Sequence, residues 1–251
     1  MAIDIVQVPE TRPYSYSSVS KFLRCPYSYY LLYRKGAKSK VGPAAKVGIA
    51  VHEAMHHAFN QRFKGFSHSD LMTVFERKMI REGVEPGPWF NDANNMLRSV
   101  NFRGLFNAAS QAEQTMEIAH TALTEGMAPV PFRFIIDLLA ERKDRSGSGG
   151  IIWDYKTDRM MNPGQHKLQM SLYRACFMEQ RGYKSSHCHL YYMRHHQHVR
   201  VQTFSTADTW AIVEKAVSVI RTEKFIPEPS KKNCNKPWKC GAAGSCEYYQ
   251  R

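Results

Sequence analysis

Apolar and polar positions alternate most clearly in the middle of the chain, where two apolar segments flank a polar connection. The segments are Phe132–Glu141 and Ile151–Asp158, and residues 142–150 between them are rich in glycine and charge. Apolar runs of this length around a Gly-rich turn are typical of a β-hairpin. Because side chains alternate along a strand, Asp154 and Lys156 are expected on one face.

Helical patterns surround this hairpin. Residues 17–34 predict two short helices that break at Cys25-Pro26, because proline is favoured in the first turn of a helix. Residues from about 69 to 125 are mainly helical in pattern, and we interpret them as a helical insertion. A further helix is predicted around Gln169.

Two more strands and a final helix complete the pattern. The strands are expected near residues 187–193 and 198–204. Residues 205–208 resemble a capping box that opens the final helix. Its apolar face is formed by Trp210, Val213, Val217 and Ile220. A chain of 251 residues with 43% hydrophobic content can bury one substantial core, so the pattern predicts an α/β fold.

Two carboxylates and a lysine lie on the predicted hairpin. Asp137 is on its first strand, and Asp154 and Lys156 are on its second. Carboxylates from neighbouring strands with a lysine beside them can hold a hard divalent cation and contact a scissile phosphate. The alternative is an ordinary hairpin in which Asp154 and Lys156 form a surface salt bridge.

Four short motifs occur in an order that resembles a known nuclease family. They are Gly48-x-x-x-His52, Ile135-Ile136-Asp137, Asp154-Tyr155-Lys156-Thr157 and Gln169-x-x-x-Tyr173. Together they resemble the RecB-type branch of the PD-(D/E)xK nucleases. That branch includes the AddB-type nuclease domains of bacterial helicase-nucleases, the CRISPR adaptation exonucleases and small phage exonucleases. Residues 17–26 resemble the amino-terminal helix of these enzymes.

The resemblance implies a fold and a metal site. The fold is a restriction-endonuclease-like core, in which helices flank a mixed central β-sheet, and residues 1–251 form a single nuclease domain. The metal site holds Mg2+ or Mn2+ through His52, Asp137 and Asp154, with the backbone carbonyl of Tyr155 as a further ligand.

The resemblance also implies roles for the remaining motif residues. Lys156 positions or activates the attacking water and stabilises charge on the phosphate. Gln169 and Tyr173 contact DNA or support the lysine, and their four-residue spacing places them on one face of a helix. Apart from the resemblance, Glu117 lies late in the predicted helical segment and is a candidate for a further acidic group near the metal, with a surface position as the alternative.

His52 has two other interpretations. It opens His52-Glu53-Ala54-Met55-His56, the pattern of zinc metalloproteases, with Glu76 or Glu82 as a conceivable third ligand. The sequence after His56 lacks the glycine and third histidine of the extended protease pattern. Helical spacing with apolar neighbours also allows a core histidine closed by a hydrogen bond.

Cysteines give a second signal, because one lies early and three lie at the end of the chain. The resemblance implies that Cys25, Cys234, Cys240 and Cys246 bind a [4Fe-4S] cluster, which would make the segment 227–251 pack with the Cys25 region. Zinc, or thiols without metal, are the alternatives, since thiolates suit both zinc and iron-sulfur clusters. The gap from Cys234 to Cys240 is longer than in the family. The other two cysteines are predicted core thiols: Cys176 and Cys188.

Charge points to nucleic acid as the partner. The formal net charge of +13 would attract a polyanion through counterion release, although basic charge also serves solubility. Basic and aromatic residues interleave at residues 27–35 and 191–196, which suits single-stranded DNA, although periodicity makes Tyr29, Leu32 and Tyr33 core positions. We find no apolar span for export or membrane insertion, and cysteines kept for metal fit a reducing cytoplasm.

These observations predict a metal-dependent DNA exonuclease or end-processing nuclease acting in recombination, repair or phage genome processing. Its substrate would be DNA that is single-stranded or has single-stranded ends, and a helicase or recombinase partner is conceivable. The main alternative from another class is a noncatalytic DNA-binding adaptor of a recombination complex.

Overall fold

The computed structural model describes residues 12–39, 41–108, 111–121, 126, 128–144, 147–183, 185–235 and 240–250. Its helices are α1 Tyr16–Arg24, α2 Pro26–Tyr29, α3 Pro43–Asn60, α4 His68–Arg81, α5 Gly87–Arg98, α6 Phe102–Ala108, α7 Lys167–Arg181, α8 Thr206–Arg221 and α9 Lys231–Asn235. A π-helical turn, Tyr30–Arg34, follows α2, and a 3-10 turn, Pro163–His166, precedes α7. The strands are β1 Gln111–His120, β2 Val130–Asp144, β3 Gly147–Lys156, β4 Ser185–Tyr192 and β5 Gln197–Arg200.

The chain divides into two compact units. We call Gly42–Met116 with Ile135–Thr206 the sheet unit, and Met1–Val41 with Glu117–Phe134 and Ala207–Arg251 the terminal unit. All four sequence motifs after residue 47 fall in the sheet unit. The early cysteine and the three late cysteines fall in the terminal unit.

The five strands form one mixed sheet in the order β1-β2-β3-β4-β5. The predicted hairpin is confirmed: β2 and β3 pair antiparallel, from Leu138 opposite Trp153 to Asp144 opposite Gly147. β3 and β4 run parallel, and α7 makes the crossover between them. β4 and β5 pair antiparallel. A mixed sheet with flanking helices confirms the predicted α/β fold class.

The core of the sheet unit is formed by α3 to α6 and one face of the sheet. Apolar side chains of α3 and α4 are fully buried at Val51, Met55, Leu71 and Phe75. α4 begins with a capping box in which Ser67 and Asp70 satisfy each other's backbone N–H groups, which helps to fix where it starts. This packing gives α3 a fixed position, and α3 carries His52.

The terminal unit contains α1, α2, most of α8 and α9. α1 begins with a capping box formed by Ser15 and Ser18, and Cys25 follows it and caps α2. The helix break predicted at Cys25-Pro26 is therefore confirmed. α8 buries the four apolar residues predicted from its spacing. Its Trp210 stacks on His120 with ring centroids 3.6 Å apart, and His120 Nε2 lies 3.2 Å from Glu214 Oε1.

One secondary-structure prediction is wrong. The helical pattern assigned to residues 69–125 holds for α4, α5 and α6, but residues 111–120 form β1. The segment is rich in glutamine, glutamate and alanine, which favour helices locally, and pairing within the sheet overrides that preference.

Among the helices described, none has both the length and the apolar character needed to cross a membrane.

Candidate active site

Asp137 lies where the pairing of β2 and β3 begins. It precedes Leu138, and its Oδ2 accepts a hydrogen bond of 2.7 Å from the backbone N–H of Tyr155. The side chain is 11% exposed. The first carboxylate is therefore fixed against the backbone of the Asp154-Tyr155-Lys156 motif.

Helix α3 brings His52 to the same place. His52 Nδ1 lies 3.2 Å from Asp137 Oδ1, and Nε2 lies 3.0 Å from the carbonyl oxygen of Tyr155. Both partners are acceptors, so both ring nitrogens donate, which only the doubly protonated imidazolium can do. His52 therefore joins the carboxylate of β2 to the backbone of β3.

Lys156 and Asp154 form a buried ion pair that α7 supports. Lys156 Nζ is 2.5 Å from Asp154 Oδ2 and donates to Gln169 Oε1 at 3.0 Å. Gln169 Nε2 donates to Asp154 Oδ1 at 3.1 Å and to the Tyr173 hydroxyl at 3.3 Å. Gln169 thus contacts both members of the ion pair, and its neighbour one turn later contacts Gln169. The geometry favours this arrangement over the exposed salt bridge of an ordinary hairpin.

Opposite charges set the protonation of these groups. Burial lowers the pKa of His52, but the carboxylates, Asp137 above all, outweigh burial and raise that pKa to about 9. Burial raises the pKa of Asp137, yet the charge and hydrogen bond of His52 and the N–H of Tyr155 bring it below its ordinary value. Burial is the largest single effect on Lys156 and lowers its pKa, but the charge and hydrogen bond of Asp154 and the charges of Asp137 and Asp158 together outweigh burial and raise that pKa. For Asp154 burial is the largest effect and its pKa is raised, although the Lys156 charge opposes this.

Close contacts hold the carboxyl-terminal end of the Asp154-Tyr155-Lys156-Thr157 motif. A Cβ atom on Gly48, one turn before His52, would lie 3.0 Å from Thr157 Oγ1, so glycine allows α3 to approach β3 closely. The carbonyl of Lys156 accepts from Met193 N at 2.8 Å, and that of Thr157 accepts from Arg194 Nε at 2.8 Å. In the Gly48-x-x-x-His52 motif, the glycine therefore allows α3 to pack closely against Thr157, and the histidine one turn later joins the site.

The chain matches a family model described as the PD-(D/E)XK nuclease superfamily over residues 13–250. The chain belongs to this superfamily. No curated protein matches it. Among solved structures it is similar to the one titled "Crystal structure of SSO0001", with 12% identity over 93% of this chain and 98% of the other. The TM-score of that comparison is 0.40, which is too low to carry a structural argument.

A third carboxylate near the site of this PD-(D/E)XK nuclease is Glu113. Glu113 Oε2 lies 2.9 Å from His56 Nδ1, and burial raises its pKa while the His56 charge lowers it. Glu117 belongs to the terminal unit, is 59% exposed and lies 3.5 Å from Arg133. Sequence pattern missed Glu113 because its segment was assigned to a helix. No local sequence signal distinguishes Glu113, because only the pairing of its segment within the sheet makes it part of a strand.

The geometry gives no support to a zinc protease. In the zinc pattern His52 and His56 would bind one metal ion and Glu53 would be the general base beside it. In this nuclease each of the three side chains has a different partner. His52 contacts Asp137, His56 contacts Glu113, and Glu53 pairs with Arg81 and with Lys78 at 3.4 Å. Glu82, a candidate third ligand, lies 3.1 Å from the same lysine. The interpretation of His52 as a core histidine closed by a hydrogen bond stays open, but both of its partners, Asp137 and the Tyr155 carbonyl, belong to the candidate site.

The residues expected to bind metal fit a divalent cation by their chemistry. Within the described ranges, no group of three or more His, Cys, Asp or Glu side chains is arranged to hold a metal ion. However, Asp137 Oδ1 and the Tyr155 carbonyl already face one positive group, the His52 ring, and Asp154 faces another, Lys156. Carboxylate and carbonyl oxygens with one imidazole suit Mg2+ and Mn2+, and the His52 ring would have to lose a proton to coordinate the cation.

The four cysteines of the expected cluster line one cavity in the terminal unit. All six cysteines lie within the described residues and are free thiols. Besides burial, the neighbouring thiols of Cys240, Cys25 and Cys234 raise the pKa of Cys246, so the four are close together. The cavity wall also contains Tyr27, Ser28, Pro227, Pro229, Asn233, Tyr248 and Tyr249.

Contacts join the carboxyl-terminal segment to the Cys25 region. Arg24 Nε donates to the carbonyl of Asn233 at 2.6 Å, and Ser28 Oγ lies 3.3 Å from Cys240 Sγ. Tyr27 donates from its hydroxyl to Glu247 at 3.0 Å. Residues 236–239, which make the long gap between two of the cysteines, lie outside the described residues. Cys176 and Cys188 are buried, as predicted for core thiols.

Several rings of the two aromatic and basic runs noted in the sequence take part in packing. Tyr191 and Tyr192 are buried in the sheet unit, and Tyr29 is buried in the terminal unit. Tyr29 also stacks on Tyr33 and Phe225. Tyr27, Tyr30 and Tyr33 are half-buried, and so is Leu32, so packing accounts for the tyrosines of the second run but for only part of the first.

Proposed function

We propose that this nuclease is a metal-dependent DNA exonuclease or end-processing enzyme. The observation that carries the proposal is the pairing of Lys156 with Asp154 beside Asp137 and His52, with Gln169 linking the first two. A DNA-binding adaptor has no need for a buried lysine that two neighbouring groups hold in place. Recombination, repair and phage genome processing are the roles we propose for it.

Each residue has a chemical role in this proposal. His52, Asp137, Asp154 and the Tyr155 carbonyl would hold Mg2+ or Mn2+. The bound cation supplies a Lewis acid and lowers the pKa of coordinated water. Lys156, which remains protonated, donates to a phosphate oxygen or to the attacking water and stabilises the charge that develops. Gln169 and Tyr173 keep the lysine amine in place.

DNA is the substrate we propose, either single-stranded or with single-stranded ends. The net charge of +13 supports a polyanionic substrate. We propose a helicase or recombinase as the partner that supplies the DNA end. A free DNA end replaces that partner in a simple assay, because the proposed chemistry needs only a DNA strand, water and metal. A reducing cytoplasm is the compartment that we propose, since it preserves the thiols.

We also propose that Cys25, Cys234, Cys240 and Cys246 hold a [4Fe-4S] cluster, with zinc as the second possibility. The support is that four thiols, distant in sequence, line one cavity. Thiolates are the ligands that both metals prefer. The role of the cluster would be to staple the two ends of the chain rather than to transfer electrons.

The decisive experiment uses end-labelled single- and double-stranded DNA with Mg2+, Mn2+ or EDTA. We expect metal-dependent degradation by the wild-type protein, and a loss of about 10³-fold or more in Lys156→Ala with DNA binding largely kept. Lys215→Ala, an exposed lysine outside the site, is the matched control. Wild-type protein that binds DNA without cleaving it would support the adaptor instead, and full cleavage by Lys156→Ala would refute the assignment of the lysine.

A further inference from the structure

The sheet unit has an aromatic and basic pocket outside the candidate active site. Its volume is about 640 Å3. It lies where α3 ends and where α6 begins, and its wall is formed by Arg62, Phe63, Phe66, Phe102, Arg103, Phe106 and Asn107. We call it the Phe63 pocket. Pockets of roughly 300–1,000 Å3 are the size that binds organic ligands.

Phe63 is the most informative residue of the pocket because its ring is 87% exposed. The Arg62 guanidinium lies 4.3 Å from the centroid of this ring and 3.7 Å from that of Phe59. Arg62 Nη1 also donates to the carbonyl of Phe59 at 2.8 Å, which ties the arginine to the end of α3. A large exposed ring beside an anchored cation costs solvation and does not contribute to the core.

The opposite wall is a set of rings held by the core. Phe66 meets Phe102 edge to face at 5.1 Å between centroids, and Phe102 lies 5.5 Å from Phe106. Phe106 in turn meets Phe59, which is buried in α3, at 5.3 Å. These rings are therefore packed against the core, whereas Phe63 is exposed.

We propose that the Phe63 pocket binds an unpaired nucleobase of a DNA strand, by stacking against Phe63, while Arg62 and Arg103 bind the adjoining phosphates. This inference rests on the proposed function, because it assumes that DNA is the substrate. The seven residues that line the pocket include two arginines and no acidic side chain. Rings for base faces combined with cations for phosphates are the usual means of binding single strands. The Asn107 amide can donate to and accept from a base edge.

Charge favours DNA over a protein as the occupant. A protein that docks by burying apolar rings gains little from two arginines unless it presents carboxylates to them. A DNA strand presents a phosphate and a flat base in each nucleotide. The wall offers an arginine next to a phenylalanine at two places, Arg62 with Phe63 and Arg103 with Phe102.

Helix α3 places the pocket within reach of a strand that is bound at the active site. His52 lies eight residues before Asn60, the last residue of α3, which corresponds to about 12 Å along the helix axis. One strand of stacked DNA covers that distance in about four nucleotides. The base in the pocket therefore belongs to the same strand as the scissile phosphate, a few nucleotides away.

The test measures binding without catalysis. The anisotropy of fluorescein-labelled (dT)12 is recorded in EDTA at several salt concentrations. We expect Phe63→Ala to raise Kd about tenfold, and Phe63→Trp to keep Kd within about threefold, because one stacked base is lost in the first and preserved in the second. Ile80→Ala, which removes another exposed apolar side chain of the sheet unit, is the control and should leave Kd unchanged.

An abasic strand of the same length separates base stacking from charge. We expect the effect of Phe63→Ala to vanish on the abasic strand, whereas Arg103→Ala weakens binding of both strands and lowers the salt slope by about one unit. Arg77→Ala, an exposed arginine on α4, is the matched control. An unchanged (dT)12 affinity in Phe63→Ala, or an equal loss on the abasic strand, would overturn the proposal and leave a protein-binding surface as the better explanation. Because cleavage is not measured, failure of the nuclease assignment would be seen separately.

Discussion

The candidate active site and the cysteine cavity each collect residues from distant parts of the sequence, but they hold them by different forces. In the active site, charges of opposite sign face each other, as Lys156 faces Asp154 and His52 faces Asp137. In the cavity, four thiols of one kind face each other, and each neighbour raises the pKa of Cys246. The charges of the first arrangement compensate each other, whereas thiolates in the second would repel one another unless a positive group lay between them.

Because of this difference, we expect a bound metal to have a different effect in each region. Removing one member of a buried ion pair leaves an uncompensated charge. The folding of the active site therefore depends on its charged side chains more than on a bound metal. Binding of a metal to thiolates is coupled to folding, since the unfolded chain has no preformed site. We therefore expect metal loss to reduce catalysis in the sheet unit and stability in the terminal unit.

The largest expected effect follows from replacing a cysteine of the cavity. Cys25→Ser should lose bound iron and lower the free energy of unfolding by roughly 4 kcal/mol, because a link that closes about 200 residues of chain is lost. Absorbance near about 400 nm and iron content report the cluster, and thermal unfolding reports stability.

Cys176→Ser is the matched control, because that thiol is buried in the sheet unit. The Cys176→Ser variant should keep its iron, even if weaker packing lowers its free energy of unfolding. Equal iron in the two variants, or stoichiometric zinc in colourless wild-type protein, would contradict the cluster while leaving the nuclease assignment intact.

A smaller effect is expected when Gln169, which hydrogen-bonds both Lys156 and Asp154, is replaced. In Gln169→Leu the side chain keeps its volume but no longer bonds Lys156 or Asp154, so we expect cleavage to fall about 10–100-fold with iron content unchanged. The split between kcat and KM for DNA is the readout. A positioning role predicts that kcat falls and KM changes little, and a change confined to KM would indicate that Gln169 contacts DNA instead.

The smallest effect concerns the pH dependence of stability in EDTA. The pKa of His52 is raised to about 9, above the ordinary value of 6.5, so its charged form stabilises the folded protein. This contribution is complete below about pH 6.5 and is lost as the pH rises through about 9. Urea unfolding across this window should show a decline in wild-type protein that is absent in His52→Gln, and parallel curves would contradict it.

The sequence predicted those parts of the molecule whose signals are local. The hairpin was evident from two apolar runs around glycines, and the break at Cys25-Pro26 from proline itself. The site residues came from the order of short motifs, and the structure brings His52, Asp137, Asp154 and Lys156 together. Their roles stay predictions, because geometry alone does not report chemistry.

The rest depended on contacts that no local pattern records. β1 has a helix-favouring composition, and only its place in the sheet makes it a strand. Glu113 was missed for that reason. The stack of His120 on Trp210 and the exposure of Phe63 were also invisible, because each depends on which distant side chains cover a ring.

Helix α3 has a consequence for the size of the products. It is one continuous helix that carries His52 and ends just before Arg62 and Phe63, so His52 and the Phe63 pocket are separated by a fixed length. The helix then acts as a ruler for the strand. A fragment shorter than about four nucleotides cannot reach both ends. We therefore expect digestion to slow at short oligonucleotides and to leave them as a remnant, which a sequencing gel would show.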